Sequence, residues 1–146
     1  MAKKPTGDDA RLILELYNFG REPEMRKARQ WWLVTFWPKN AGEFMKVGMA
    51  LGTDENNWMR QVLSYWGIVS SFVLNGLLSE KLFLEPSFSG EMFFILVKMR
   101  PFLKELRENT KNPDLMQNLE KAILGSKAGR AQFAKFEPRV SAMRPK

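Results

Sequence analysis

Three features of this 146-residue sequence predict an all-α fold in a single domain. The first is a run of nineteen residues without a formal charge, Gln61 to Ser79 (QVLSYWGIVSSFVLNGLLS). Its apolar residues, with Trp58 just ahead, follow a helical stripe through Val62, Tyr65, Trp66, Val69, Val73 and Leu77. The second is the recurrence of capping residues, apolar residues at helical spacing, and Gly or Pro stops. The third is negative: no stretch alternates like a strand beside hairpin turn chemistry, and no internal repeat is present. With 45% hydrophobic residues, the chain is long enough to bury one proper core. Five to seven helices in an irregular antiparallel bundle would cover the apolar faces.

The order of elements follows from local signals. Residues 1–7 (MAKKPTG) are polar, lack the apolar segment of a signal peptide and read as a mobile start. Thr6 or Asp8 caps a first helix through Leu12, Ile13, Leu16 and Tyr17, which Gly20 stops. Pro23 and Glu24 open a second helix that runs through Met25, Ala28, Trp32 and Phe36 to Pro38. Asn40, with Glu43 three residues on, resembles a capping box for a short helix through Phe44, Val47 and Leu51. Thr53 then caps the uncharged helix, predicted from Asp54 to about Asn75, with Gly76 at its end. Its Ser64, Gly67, Ser71 and Asn75 suggest a side that a neighbouring backbone approaches closely, so this helix is expected to be the covered rod of the bundle. Leu77 to Pro86 is a short apolar connection with about one helical turn after Ser79.

A long helix is expected from Ser87 to Glu108, burying Phe88, Met92, Ile95, Leu96, Met99, Leu103 and Leu106. Pro101 should kink or break it, because proline donates no hydrogen bond to the preceding turn. Asn112, Pro113 and Asp114 start the next helix, which buries Leu115, Leu119, Ala122 and Ile123 and stops at Gly125. The domain is therefore placed at residues 8–125. Residues 126–146 form a basic arm, with a weaker helix from Ser126 to about Phe136 that Pro138 releases into an extended end.

Composition excludes much chemistry. Without cysteine there is no disulfide, thiolate nucleophile or cysteine metal site, which fits a reducing, cytoplasmic compartment. Without histidine the usual general base near neutral pH is missing. The net charge of +7 is uneven: beyond Glu120, seven basic residues face Glu137 alone. The uncharged run approaches the roughly 20 residues that span hydrocarbon. Gln61, Ser64, Ser70, Ser71 and Asn75 make it a core helix instead, and no transmembrane span is expected.

The chain from about Met59 to Leu124 resembles a family of small bacterial all-helical domains of unknown function. The shared features are Arg60 early in the central helix, Tyr65 further along, the helix end at Gly76 and Leu77, and an apolar helix closing in RPFLKELRE (Arg100 to Glu108). Where such relatives often carry an acidic residue in the central helix, this chain has Trp66 and Gly67, so no role for that carboxylate is carried over. The resemblance implies a helical domain and no particular activity.

Each candidate for chemistry has a plainer reading. Glu80, Glu85 and Glu91 bracket the connection and the long helix and would make an all-oxygen metal site or an acid/base pair. The plainer reading, that Glu80 and Glu91 are first-turn charges complementing helix dipoles, is favoured. No phosphate loop or G-x-S-x-G motif is present, so no catalytic residue, cofactor or metal is assigned and the chain reads as a non-enzyme. A helix-turn-helix reader at Asn75 and Gly76 is disfavoured, since Leu78, Leu82, Phe83 and Leu84 want burial rather than base edges. An aromatic-lined pocket between helices is a further possibility, as bundles do build such sites.

The preferred reading is an interaction module that associates with itself or another protein. Its candidate contacts are Phe133, Phe136, Val140 and Met143 on the arm, packed on their own bundle or on a second copy, together with Trp31 and Trp37. The alternative is sequence-independent nucleic-acid binding by the arm, with Lys127, Arg130, Lys135, Arg139 and Arg144 as the candidate anion-binding residues. A further alternative is an anionic membrane surface met by the second helix, basic at Arg26, Lys27 and Arg29 and aromatic at Trp31, Trp32, Phe36 and Trp37.

Overall fold

The computed structural model describes residues 4–146, so residues 1–3 of the expected mobile start lie outside it. The described residues form nine α-helices and no strand. One of the nine is a single turn, and two are the halves of the long helix broken at Pro101, which reconciles the count with the expected five to seven.

Helix α1 spans Gly7–Gly20 behind Thr6, whose hydroxyl accepts from the Asp9 amide while Asp9 accepts from the Thr6 amide, a complete capping box. Asp9 is buried and also accepts from the Ser79 amide at 2.9 Å, tying the start of α1 to a segment seventy residues away. Helix α2 (Pro23–Gln30) begins at the proline, with the Glu22 carboxylate accepting from the amides of Glu24 and Met25. The sequence predicts one helix onward to Pro38. Instead Trp31–Thr35 widens into a π turn, closed by the Phe36 amide on the Trp31 carbonyl. The wider turn narrows the arc over which Trp31 and Trp32 face, and with Phe36 just past its end all three are buried.

Helix α3 spans Ala41–Gly48 and stops short of Leu51, which is exposed along with Met49. Asn40 caps it as expected, but Glu43 reaches back to the Lys39 amide rather than that of Asn40, so the box is displaced by one residue. Helix α4 spans Asp54–Leu74, capped by Thr53 and ended through Asn75 and Gly76, the latter at φ +75°. It buries Met59, Val62, Trp66, Val69 and Ser70 against α2 and a later helix.

The uncharged helix is nevertheless not the covered rod. Ser64 and Ile68 face outward, Leu77 is 61% exposed, and a Cβ placed on Gly67 would touch nothing within 4 Å. No backbone closes on its small-residue side.

The rod is the next long helix. After the single turn α5 (Glu80–Phe83), which buries Phe83 and leaves Leu78 buried just before it, α6 runs Pro86–Met99. Nine of its residues are buried, among them Met92, Phe93, Ile95, Leu96 and Met99, and two of the nine are charged, Glu91 and Lys98. Burying each large apolar side chain stabilises the fold by roughly 1.5–3 kcal/mol. Pro101 then tightens the chain into a 3₁₀ turn, Arg100–Phe102, before α7 (Leu103–Asn109), the break the sequence predicts.

Helix α8 spans Gln117–Leu124, four residues later than expected: Asn112 caps a turn at Asp114 instead. Met116, at φ +58°, buries its side chain and sets the new start. Helix α9, Lys127–Met143, passes straight through Pro138, contrary to the expected release. Proline forfeits one backbone bond, but it lies on the exposed side, and Phe133 and Val140 anchor the helix on both sides of it. The arm therefore belongs to the bundle, packed along α6 and α8. Its entry is tight: a Cβ on Gly129 would lie 1.8 Å from the Ile123 carbonyl oxygen.

Two glycines separate these findings in urea titrations. Gly67→Ala should raise stability by about 0.5–1 kcal/mol, the ordinary gain in a helix interior with open space. Gly129→Ala should lower it, because α8 and α9 must move apart.

Candidate functional site

Glu91 and Lys98 stand seven residues apart, two turns of α6, so both charges lie along one side of a helix that is otherwise apolar and buried. Burying an ionised group costs several kcal/mol unless it is paired or hydrogen-bonded, and the two meet that cost differently.

Glu91 is fully engaged. One oxygen accepts from Trp66 Nε1 on α4 at 2.8 Å, and the other is held by Arg29 Nε on α2. Arg29 also reaches the Gly20 carbonyl at the end of α1, and the neighbouring Tyr65 hydroxyl donates to the Leu16 carbonyl. Four helices therefore meet around one carboxylate. A niche of about 40 Å³ remains among Tyr17, Gly20, Met25, Arg29, Tyr65, Trp66, Ser87 and Phe88, space on the scale of one water. Burial, then the negative charge of Glu91, push the Tyr65 phenol up to about 12, with Arg29 opposing.

Lys98 has no carboxylate partner among the described residues. Its ammonium nitrogen donates to the Trp32 carbonyl and lies 4.1 Å from the centroid of the Trp37 ring, 5.5 Å from Phe94 and 6.0 Å from both Trp32 and Phe36. The π turn supplies this cage, since it delivers Trp32, Phe36 and then Trp37 to one side. Arg144, at the end of α9, closes it: Nη2 donates to the Lys98 carbonyl at 3.2 Å, and the guanidinium sits 5.7 Å from Trp37 and 5.8 Å from Phe102. Two cations thus share one indole. Burial, and then the charge of Arg144, lower the Lys98 ammonium to about 7. An uncharged lysine is the nucleophilic form. Here rings and a carbonyl occupy the space around the amine, so the cage conceals the nitrogen rather than presenting it.

A third feature is an apolar cleft of about 370 Å³ where α1 stands off α4, lined by Leu12, Leu16, Phe19, Tyr65, Ile68 and Phe72, with Glu15 its one charged residue. Phe19 is 68% exposed and Ile68 54% exposed at its rim.

A family model described as a domain of unknown function, DUF4760, matches residues 5–125. The chain belongs to this family. The match begins far ahead of the expected Met59 and covers every element from α1 to α8, while α9 lies beyond it. No curated protein and no solved structure matches the chain. Family membership brings no activity, so function has to be argued from the side chains themselves.

The residues singled out in the sequence are dispersed. Trp31 is buried, stacked at 4.4 Å on Phe36, so Trp31, Trp32 and Phe36 of the expected second helix face the core. Trp37 is half-buried in the Lys98 cage. Phe133 and Val140 are buried, and Phe136 stacks on Phe93 at 5.1 Å, so the arm packs on its own bundle. Only Met143 of that set is exposed.

Among the basic residues, Lys127, Arg130, Lys135 and Arg139 are exposed, whereas Arg144 turns inward. Glu80 does sit in a first turn, and Glu85 stands at the N-cap position of α6 with no capping bond from its side chain. Glu91 is not a first-turn charge as expected: it lies beyond the first turn, and both its oxygens are taken by Trp66 and Arg29. Among the described residues no three acidic side chains are grouped to hold a metal ion, and no helix is long and apolar enough to cross a membrane. Lys98 and the α1–α4 cleft were not singled out. The signal available was the string EMFFILVK, whose charges share a face with apolar residues on all others.

Two measurements follow. Glu91→Ala strands the buried Trp66 N–H and should cost about 1–3 kcal/mol beyond any loss from the exposed side of Arg29, whereas Glu91→Gln retains an acceptor and should cost less. Stability should also depend on pH with a definite sign. Above about pH 7 the folded chain has released the Lys98 proton while the unfolded chain holds it to 10.5, so stability should rise across that interval. Tyr65 acts oppositely: its folded form keeps the proton to about 12 and its unfolded form loses it near 10, so stability should fall above pH 10. Urea midpoints should therefore be highest near pH 10, where the two effects cross, and Lys98→Met should flatten the rising limb.

Proposed function

We propose that this chain is a helical interaction module that pairs with a second copy of itself across the α1–α4 cleft. The observation that carries the reading is the cleft, an apolar groove with Phe19 and Ile68 exposed at its rim on a helix, α1, held to the bundle chiefly by α2 and α5. Helix α1 has more apolar surface than its own bundle takes up: Leu14 and Tyr17 are also exposed. A second α1 is thus a fitting occupant, since the surface that needs covering and the surface that would cover it are the same, as a two-fold interface requires.

Charge favours an antiparallel approach. Asp8, paired with Arg11 at 2.6 Å, is exposed at one end of α1 and Arg21 just past the other, so two such helices related by a two-fold axis would let each acid exchange Arg11 for the other copy's Arg21. This route replaces the arm and the tryptophans as the contact, because those side chains are largely spent inside the bundle.

The second reading, sequence-independent binding of nucleic acid by α9, is favoured by one observation: Lys127, Lys135 and Arg139 are exposed while the nearby Glu137 is offset by Arg100 at 3.8 Å. Light scattering on the intact protein tests the first reading. The wild type should show the mass of a dimer, and Phe19→Asp or Ile68→Asp the mass of a monomer with unchanged helical content. A wild-type monomer at all concentrations, or dimers that survive both substitutions, would refute it. The second reading expects binding to duplex or single strands that weakens steeply with salt and is reduced in a Lys135→Gln, Arg139→Gln variant.

A further inference from the structure

The Lys98 cage contains an unresolved competition. Lys98 Nζ and the Arg144 guanidinium approach the same Trp37 ring, at 4.1 and 5.7 Å. An aromatic ring offers a limited quadrupole, and two cations drawing on it also repel one another. Among the described residues no acid pairs with either of them. From the π turn and the residues after it, Lys98 meets the Trp32 carbonyl and the rings of Trp32, Phe36 and Trp37. From its own helix it meets Phe94, and from α9 it meets Arg144. The next charged pair along these helices, Arg100 with Glu137, closes on itself at the surface. Arg144 adds a further cost, because its Nη1 is buried with no acceptor among the described residues.

We propose that the last turn of α9 is a charge-gated latch, in which Arg144 stays seated on Trp37 and the Lys98 carbonyl while the Lys98 amine is neutral and is released when that amine takes up a proton. Linkage requires the effect to run both ways. Seating Arg144 makes Lys98 a weaker base, so charging Lys98 must weaken the seat of Arg144 by the same factor. The charged amine keeps the Trp32 carbonyl and gains the Trp37 face for itself. The displaced guanidinium gains water, including for the Nη1 that has no acceptor inside.

The hinge is short. Val140 is buried and holds α9, whereas residues 141–143 beyond it are exposed, so Arg144 is what secures the last turn. Release uncovers Trp37 and Phe102, two rings that the guanidinium covers when seated. The position of the lysine transition near neutral pH, lowered by burial and then by Arg144, places the switch where modest acidification operates it.

The test is an NMR titration of the full chain. The Lys98 side-chain resonances and the heteronuclear NOEs of residues 141–144 are followed between about pH 5.5 and about pH 9, either side of the Lys98 transition. In the wild type Lys98 should titrate near neutrality, and the NOEs should fall together with its protonation. In Lys98→Met, which has no charge to gain, the NOEs should remain high at both ends of the range. In Arg144→Gln the last turn should be mobile throughout and the Lys98 midpoint should move up by roughly half to one unit.

A Lys98 that stays charged to about pH 9 overturns the proposal, as do wild-type NOEs unchanged across its titration. An Arg144→Gln midpoint equal to that of the wild type also overturns it. If Lys98→Met does not fold, the Arg144→Gln midpoint and the wild-type NOEs still decide.

Discussion

The Glu91 carboxylate is the joint on which the bundle depends. A charge inside a helix as covered as α6 is tolerable only if both oxygens are satisfied, and they are satisfied by side chains from two different helices, Trp66 of α4 and Arg29 of α2. Apolar packing alone is nondirectional and allows one helix to slide or roll on another. A carboxylate with two fixed donors does not, because any slide breaks a buried hydrogen bond. Arg29 and Tyr65 extend the constraint to the carbonyls at Gly20 and Leu16, so even the loosely packed α1 is placed by hydrogen bonds. The apolar cleft beside it follows: α1 is held at a distance by polar contacts instead of being drawn onto α4 by its own leucines.

Lys98 shows the opposite way to bury a charge. Where Glu91 is compensated by a cation, Lys98 is surrounded by rings and one carbonyl, and its environment favours the neutral amine. The two groups occupy the same side of one helix two turns apart, one a fixed anchor and the other a group whose charge depends on surroundings. That division assigns rigidity to the α2, α4 and α6 junction and adjustability to the α6 and α9 end.

Much of the fold is legible in the sequence because its boundaries are set by local chemistry. Thr6, Thr53, Asn40, Pro23, Gly76 and Pro101 act over three or four residues, and each does what its side chain dictates. What is not legible depends on the tertiary partner. Helix α4, uncharged from Gln61 onward, looks like the interior and is half-covered, while α6, with charges at 91 and 98, is the interior. Absence of charge measures the cost of burial without a partner, and Glu91 and Lys98 had partners that no spacing rule reveals. The same limit explains Pro138: a proline ends a helix unless packing on both sides of it outweighs one lost hydrogen bond, and here Phe133 and Val140 supply that packing. Membership of the family extends across α1 to α8, so the arm that seals α6 lies outside the shared part.

The π turn at Trp31–Thr35 carries a consequence for how such a chain can tolerate changes in length. A helix wound five residues per hydrogen-bonded step holds one residue more than the α-helical path would need over the same rise. Loss of a single residue there would let the segment rewind as ordinary α-helix over nearly the same rise and rotation, so the elements downstream would stay close to where they are. The change would be confined to the wide turn itself, where Trp31 and Trp32 would have to find new places against Phe36. In this protein a one-residue deletion far from either terminus would act as a local exchange of rings, with the helices after it left in register.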